Sequence, residues 1–281
     1  MKRYVLTVLA AVVALGTIGG NGCRHPEASF FEGLKQCAET DITSDKILYF
    51  GPSNSVGPGS GWREAFGADG KHADFRLRFA QADLPEPKNF IELSKSGYSC
   101  QNGKSVTFEL NADVSASVST LPLTAALSND LKTAKSVTVT VGGMGWDQIK
   151  EIEYEDYFKK QLGAGDKYYE DMNNSNRLVL YRALAVKDLT MDYTFSSEDY
   201  AKLTAKYSGP LGGGGSGNIG GNVSINWKGD NKMAITAPGN SWVLGELGKF
   251  SSMKGFAASG MVGPLTPISV PQGAVVTDLV K

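Results

Sequence analysis

The sequence predicts an α+β protein: a twisted, mainly antiparallel β-sheet with several short helices packed on it. Three observations lead there. Several runs alternate apolar and polar residues with the period of two that belongs to a half-buried strand, the longest being VTFELNADVSASVS at 106–119. The 34 glycines, with many Ser, Thr and Asn, supply the turns that such a sheet needs. A few stretches instead space their apolar residues as a helix does. The chain of 281 residues suffices for one large domain or two small ones. Its 28 basic and 29 acidic side chains leave almost no net charge, so no field recruits nucleic acid.

The first element is a secretory signal peptide over residues 1–22. Lys2 and Arg3 form a basic start, Tyr4 to Ile18 is apolar, and Gly19, Gly20, Asn21 and Gly22 close it with small residues. A permanent transmembrane anchor is the competing reading, but it needs about twenty apolar residues and this run is shorter. Gly22 followed by Cys23 resembles the signal of bacterial lipoproteins, in which a small residue precedes the cysteine that receives the lipid. The resemblance implies lipidation of Cys23, attachment through several acyl chains, and, with Arg24 next, an outer-membrane address if the organism has such a membrane. Ordinary cleavage, giving a secreted protein, is the alternative. The expected location is therefore the bacterial cell envelope, on the outer membrane or its periplasmic face.

The three cysteines agree with this reading. If Cys23 carries lipid, Cys37 and Cys100 are left to bridge, closing a loop of about sixty residues worth roughly 4 kcal/mol on the chain-entropy model. Two buried free thiols are the other arrangement. No pair has the short spacing of a zinc or redox site.

Residues 23–45 hold the anchor cysteine, a linker and an amphipathic helix in which Phe30, Phe31, Leu34 and Cys37 recur at helical spacing, with Gly33 as a weak point. Residues 46–259 read as one β-rich domain and 260–281 as a Pro-containing tail. Strands are expected at 46–50, ending in the turn-rich GPSNSVGPGSG, at 73–79, and over the long alternating run; 83–88 is a loop. A helix from about Leu121 to Ala134 follows, capped by Thr120, with Pro122 in its first turn and Leu123, Leu127 and Leu131 along one side. Val137, Val139 and Val141 resume a strand. Asp147 to Leu162 reads as helix, with a further turn or two at 166–176, and 177–186 and 187–195 as strands. Half of YSGPLGGGGSGNIGGN (207–222) is glycine, read as a mobile connection between strands of one sheet rather than a domain linker. Strands at 222–228, MAIT and SWVLGEL complete the sheet.

The sequence carries no motif that fixes a reaction. Its two histidines, His25 and His72, support neither a triad nor a metal site. GYSCQNGKS at 97–105 has five residues, not four, between its first glycine and GK, so it is no phosphate loop, and GxGxxG at Gly212, Gly214 and Gly217 is trivial in a glycine run. Glu151, Glu153, Glu155 and Asp156 lack calcium-loop spacing and read as a solvated helical face. No cofactor and no metal is implied. A carboxylate pair of a hydrolase leaves no linear signature, so an envelope hydrolase stays open.

The fourteen-residue run at 106–119 admits two explanations. In one it is a long antiparallel strand with Val106, Phe108, Leu110, Ala112, Val114, Ala116 and Val118 on the core and the polar set in water. In the other it spans a bilayer, for which about nine to eleven residues suffice, with the polar face lining an aqueous lumen; a single chain would then have to oligomerise to close a barrel. This strand, a variable connection, a second strand ending near Trp146, a charged helical stretch, RLVLYRALAVKDLTMDY, a Gly-rich gap and NKMAITAPGNSWVLGEL together resemble the pore-forming N-terminal domain of gasdermins, over roughly residues 104–247. The resemblance implies a membrane-inserting pore former whose barrel strands include Val106, Phe108, Leu110, Val114, Val118, Val137, Val139 and Val141. The sequence thus points first to an exported, lipid-anchored envelope protein with a non-enzymatic binding or structural role, whose partner is the membrane through the N-terminal lipid. The pore former is the alternative.

Overall fold

The computed structural model describes residues 26–37, 45–66, 73–95, 97–100, 103–112, 125–158, 166–172, 177–207, 217–220, 223–250, 265–271 and 274–277. Two long antiparallel strands form its axis: β8 (Arg177–Thr194) and β11 (Lys232–Phe250). Both are long because their sequences alternate or stay apolar over most of their length, and both keep partners on each edge.

The outer edge of β8 is tiled in series by β2 (Gly61–Phe66), β7 (Gly143–Ile149) and β6 (Ser136–Val141). The outer edge of β11 is tiled by β12 (Leu265–Pro267), β1 (Ile47–Ser53) and β10 (Val223–Gly229). Further out, β3 (Ala73–Phe79) and then β13 (Val275–Thr277) extend β2, β4 (Ile91–Glu92) extends β7, β5 (Val106–Leu110) extends β6, and β9 (Gly217–Gly220) extends β10. These thirteen strands make one sheet among the described residues. It is open, and antiparallel except where β13 joins β3.

A bend divides the sheet. Asp188 of β8 has φ 52° and Gly239 of β11 has φ 79°, and the Gly239 N–H donates to Asp188 Oδ1 at 3.1 Å. A left-handed backbone is costly for aspartate and easy for glycine, so the pair marks a place where both strands change direction together. Beyond the bend lies a six-strand block in the order β5-β6-β8-β11-β10-β9.

Among the described residues these helices pack on the sheet: α1 (Pro26–Lys35), α2 (Ala125–Leu131), α3 (Glu151–Asp156), α4 (Lys167–Met172) and α5 (Ser197–Tyr207). The largest core lies between the six-strand block and α1, α2 and α5, which contribute Phe30, Leu34, Leu127, Leu131 and Leu203. A second core sits around Phe50, Trp62, Phe75 and Leu180, and a third around Phe90, Tyr154, Phe158 and Val179.

Several expectations are corrected. Within the alternating run β5 covers Val106 to Leu110 and Ala112 is already helical; Asp113 to Ser119 lie outside the described residues. Residues 147–149 are strand, not helix, because Asp147 is needed as a buried acceptor on β7, and the helix that follows buries Tyr154 while leaving Ile152 75% exposed. The strand expected to stop at Phe50 runs on to Ser53, through Gly51 with φ 77°. The runs 177–186 and 187–195 are one strand, as are MAIT and SWVLGEL. Gly33 is no weak point: a Cβ there would lie 2.3 Å from the Phe108 ring, so glycine is what lets α1 approach β5. The sequence reading has no place for β2, α5 or the short strands β4, β9, β12 and β13, the last two of which lie in the stretch read as a tail. The cap Thr120, Pro122 and Leu123, and most of the glycine run, lie outside the described residues, although Gly217–Gly220 pairs as β9.

Candidate functional site

The six-strand block separates apolar from polar side chains row by row. Register partners leave a sheet on the same face. One row runs Phe108, Val139, Met191, Ile235, Ile225 across β5, β6, β8, β11 and β10, and every member is buried. The next runs Leu110, Val137, Tyr193, Met233, Trp227, of which only Trp227 is partly exposed. Burying each such side chain is worth about 1.5–3 kcal/mol. That face is therefore strongly apolar across five strands.

The intervening rows belong to the other face. Thr107, Thr140, Thr190, Thr236 and Ser224 form a line of five hydroxyl side chains, each half-buried or exposed. Thr107 and Thr140 share a hydrogen bond of 3.1 Å, and Ser224 and Thr236 one of 2.6 Å. The companion row is Glu109, Thr138, Asp192, Ala234 and Asn226, where Lys228 Nζ donates to Asp192 Oδ1 at 2.6 Å. This face is built for water.

Three helices cover the apolar face, and each is held by a specific device. α1 lies over β5 through Phe30, whose ring meets Phe108 edge-on at 5.9 Å, and through the close approach at Gly33. Just past its end, Cys37 forms a disulfide with Cys100, a residue 63 positions away. α2 is tethered to α5: Lys206 Nζ and the Tyr207 hydroxyl both donate to Asp130 Oδ2, at 2.7 and 2.6 Å. Burial pushes the Asp130 carboxyl up, but these two hydrogen bonds outweigh it and hold its pKa below the ordinary value. α5 starts at a cap in which Ser196 Oγ accepts the Asp199 N–H at 3.0 Å, and it rests on the block through Tyr200 against Trp227 at 5.7 Å.

On the other side of the bend, the sheet is braced from β7 by Asp147, which is fully buried. Its Oδ1 accepts the Ser94 N–H at 2.9 Å and the Tyr98 hydroxyl at 2.6 Å, and its Oδ2 accepts the indole N–H of Trp242 at 2.9 Å. Burial, and the hydrogen bond to this carboxylate, push the Tyr98 phenol well above its ordinary pKa. The cluster locks Ser94 and Tyr98, the latter two residues before Cys100, onto the sheet.

Of the side chains singled out in the sequence, Val106, Phe108, Leu110, Val137, Val139 and Val141 come together on the apolar face, with all but Val106 buried. Val114 and Val118 lie outside the described residues, as do Cys23, His25 and His72. Among the described residues no group of three His, Cys, Asp or Glu is placed to hold a metal ion, and no helix is long and apolar enough to cross a membrane. The hydroxyl row was missed because its five members come from five separate strands. The available signal was one Thr or Ser at an outward position of each alternating strand.

No family model matches the chain, and no curated protein does. Among solved structures it is similar to that of a bacterial gasdermin from Bradyrhizobium tropiciagri, at 12% sequence identity over 79% of this chain and 88% of that one, with a TM-score of 0.37.

Proposed function

We propose that this is a membrane-inserting, pore-forming protein that acts from the cell envelope, where Cys23 anchors it by lipid. The observation that carries the reading is a mismatch between sequence and strand. Apolar and polar residues alternate through Ser119, yet β5 ends at Leu110 and Ala112 is already helical. A strand pattern that continues past the end of β5 has a use if the β5-β6 hairpin lengthens.

Lengths support it. The five residues of β5 span about 17 Å at roughly 3.4 Å each, short of the apolar band of about 25 Å that a membrane barrel presents. Fourteen residues span about 48 Å, or about 34 Å along the membrane normal at a tilt near 45°, which is enough. The apolar rows, now under α1, α2 and α5, would meet lipid, and the hydroxyl row would line water. Exchanging a helical cover for acyl chains keeps those rows out of water, so the apolar face costs little in either state. Backbone groups in lipid must all pair, so several chains would close one barrel.

Release of trapped dye from liposomes tests the proposal. Leakage that rises steeply with protein concentration is expected. No leakage at any lipid composition would leave the non-enzymatic envelope-binding role as the better reading.

A further inference from the structure

The bend is a line that crosses the whole width of the sheet. Leu189 faces Ala237 and Lys187 faces Asn240, so between these pairs β11 has two residues where β8 has only Asp188, and the extra one makes a β-bulge. Both left-handed positions, Asp188 and Gly239, fall inside it. The line continues at Gly142, the single residue between β6 and β7, whose N–H donates to the Lys187 carbonyl at 2.9 Å. On the outer edge of β11, β10 pairs no further than Thr236 and β1 no further than Trp242, so among the described residues no strand pairs with 237–241 on that edge. Of the described strands, β8 and β11 are the ones that run through the line.

The two sides of the line differ. Lys187, Asp188, Gly239 and Asn240 are exposed, while Val141, Val186, Leu189 and Ala237 are buried in the largest core. α1 lies on the buried side and reaches both halves of the sheet. Its Phe30 ring meets Phe108 of β5, beyond the bend, at 5.9 Å and Tyr49 of β1, before it, at 6.2 Å; Phe31 meets Tyr49 at 5.5 Å. On the exposed side the angle is held by the hydrogen bond from the Gly239 N–H to Asp188 Oδ1. A left-handed backbone is costly for aspartate, so this bond and the packing opposite keep Asp188 out of the extended conformation that the rest of β8 adopts.

We infer that the line through Gly142, Asp188 and Gly239 is a hinge, that α1 is the strut that sets its angle, and that the Asp188–Gly239 hydrogen bond is its clasp. Hinges turn on a few residues that absorb a large backbone change. Here Asp188, passing from left-handed to extended, swings the six-strand block against the rest of the sheet, and Gly142 and Gly239 follow without a side chain to obstruct them. The ladders on either side stay paired: β6 holds Thr190 to Thr194 of β8, and β7 holds Arg182 to Lys187. The hinge does not depend on pore formation.

Distances between spin labels on the two halves test it, in the full chain with Cys23→Ser and the disulfide intact. Glu64 of β2 and Glu109 of β5 are exposed and lie on opposite sides of the bend, so Glu64→Cys and Glu109→Cys carry the labels. The chain with no other change should give one distance. Gly33→Val, which drives α1 off Phe108, combined with Asp188→Ala, which removes the clasp, should add a second resolved distance. Asp188→Asn in place of Asp188→Ala keeps an acceptor for the Gly239 N–H and should restore most of the first. Circular dichroism checks that each variant is folded; if the double variant is not, Asp188→Ala alone is read, and a second distance is expected there too. The same single distance in every folded variant overturns the hinge, and a second distance equally populated with Ala and Asn at 188 overturns the clasp. Dye release from liposomes with the same variants reports on pore formation alone: a second distance without leakage leaves the hinge standing and the pore-forming reading not.

Discussion

Gly33 of α1 sits so close to Phe108 of β5 that a Cβ at residue 33 would lie 2.3 Å from the ring. The cover helix and the candidate membrane strand therefore meet where only a hydrogen fits. Replacing Gly33 with alanine gains roughly 1 kcal/mol of helix propensity, but overpacking of about 1–3 kcal/mol opposes it, and with valine the propensity gain largely disappears. Gly33→Val should lower the melting temperature and raise the rate of dye release. Thermal melts and leakage kinetics on the same preparation check both.

The Cys37–Cys100 bond holds the end of α1 to the segment braced by Asp147. A closed loop of that length contributes about 4 kcal/mol on the chain-entropy model. The reduced protein, or Cys37→Ser/Cys100→Ser, should unfold at clearly lower denaturant concentration than the oxidised one. If the bond keeps the cover in place, leakage should also be faster after reduction.

Among the described residues Asp147 has no cation partner, and it depends on three donors. Asp147→Ala leaves the Ser94 N–H, the Tyr98 hydroxyl and the Trp242 indole N–H unsatisfied, and should cost about 3–5 kcal/mol. Tyr98→Phe removes one donor and should cost about 1–2 kcal/mol. Urea titrations of the two variants rank these losses.

The Asp130 tether between α2 and α5 should respond to acid. Its carboxyl titrates below the ordinary 3.8 in the folded chain, so the stability it lends is fully present above that value. It is lost as pH falls through the depressed folded pKa. Wild type should melt above Asp130→Asn near neutral pH, and the two curves should converge as the pH drops below 3.8. A pH series of thermal melts makes the comparison, with the gap narrowing in salt because Lys206 is half-exposed.

The α+β class was legible because alternation in 73–79, 106–110 and 137–141 is a local signal that survives into the sheet. So was α1, whose Phe30 and Leu34 point to the core as their spacing implies. What escaped was tertiary. Asp147 sits in a charged stretch that looks helical until the donors of Ser94, Tyr98 and Trp242 are brought to it from distant parts of the chain. Gly33 looks like a helix defect until Phe108 lies against it. The hydroxyl row exists only through register, and a single run such as SVTVTV holds one member of it, Thr140.

A scan of an environment-sensitive fluorophore along residues 106–119 tests the central claim most directly. The probe is placed at one introduced cysteine at a time, in a chain with Cys23→Ser and the disulfide intact. On liposomes, labels at 106, 108, 110, 112, 114, 116 and 118 should report an apolar setting and those at the intervening positions water, a period of two over the full run. Spectra unchanged by liposomes, or a change without that period beyond Leu110, would contradict the account.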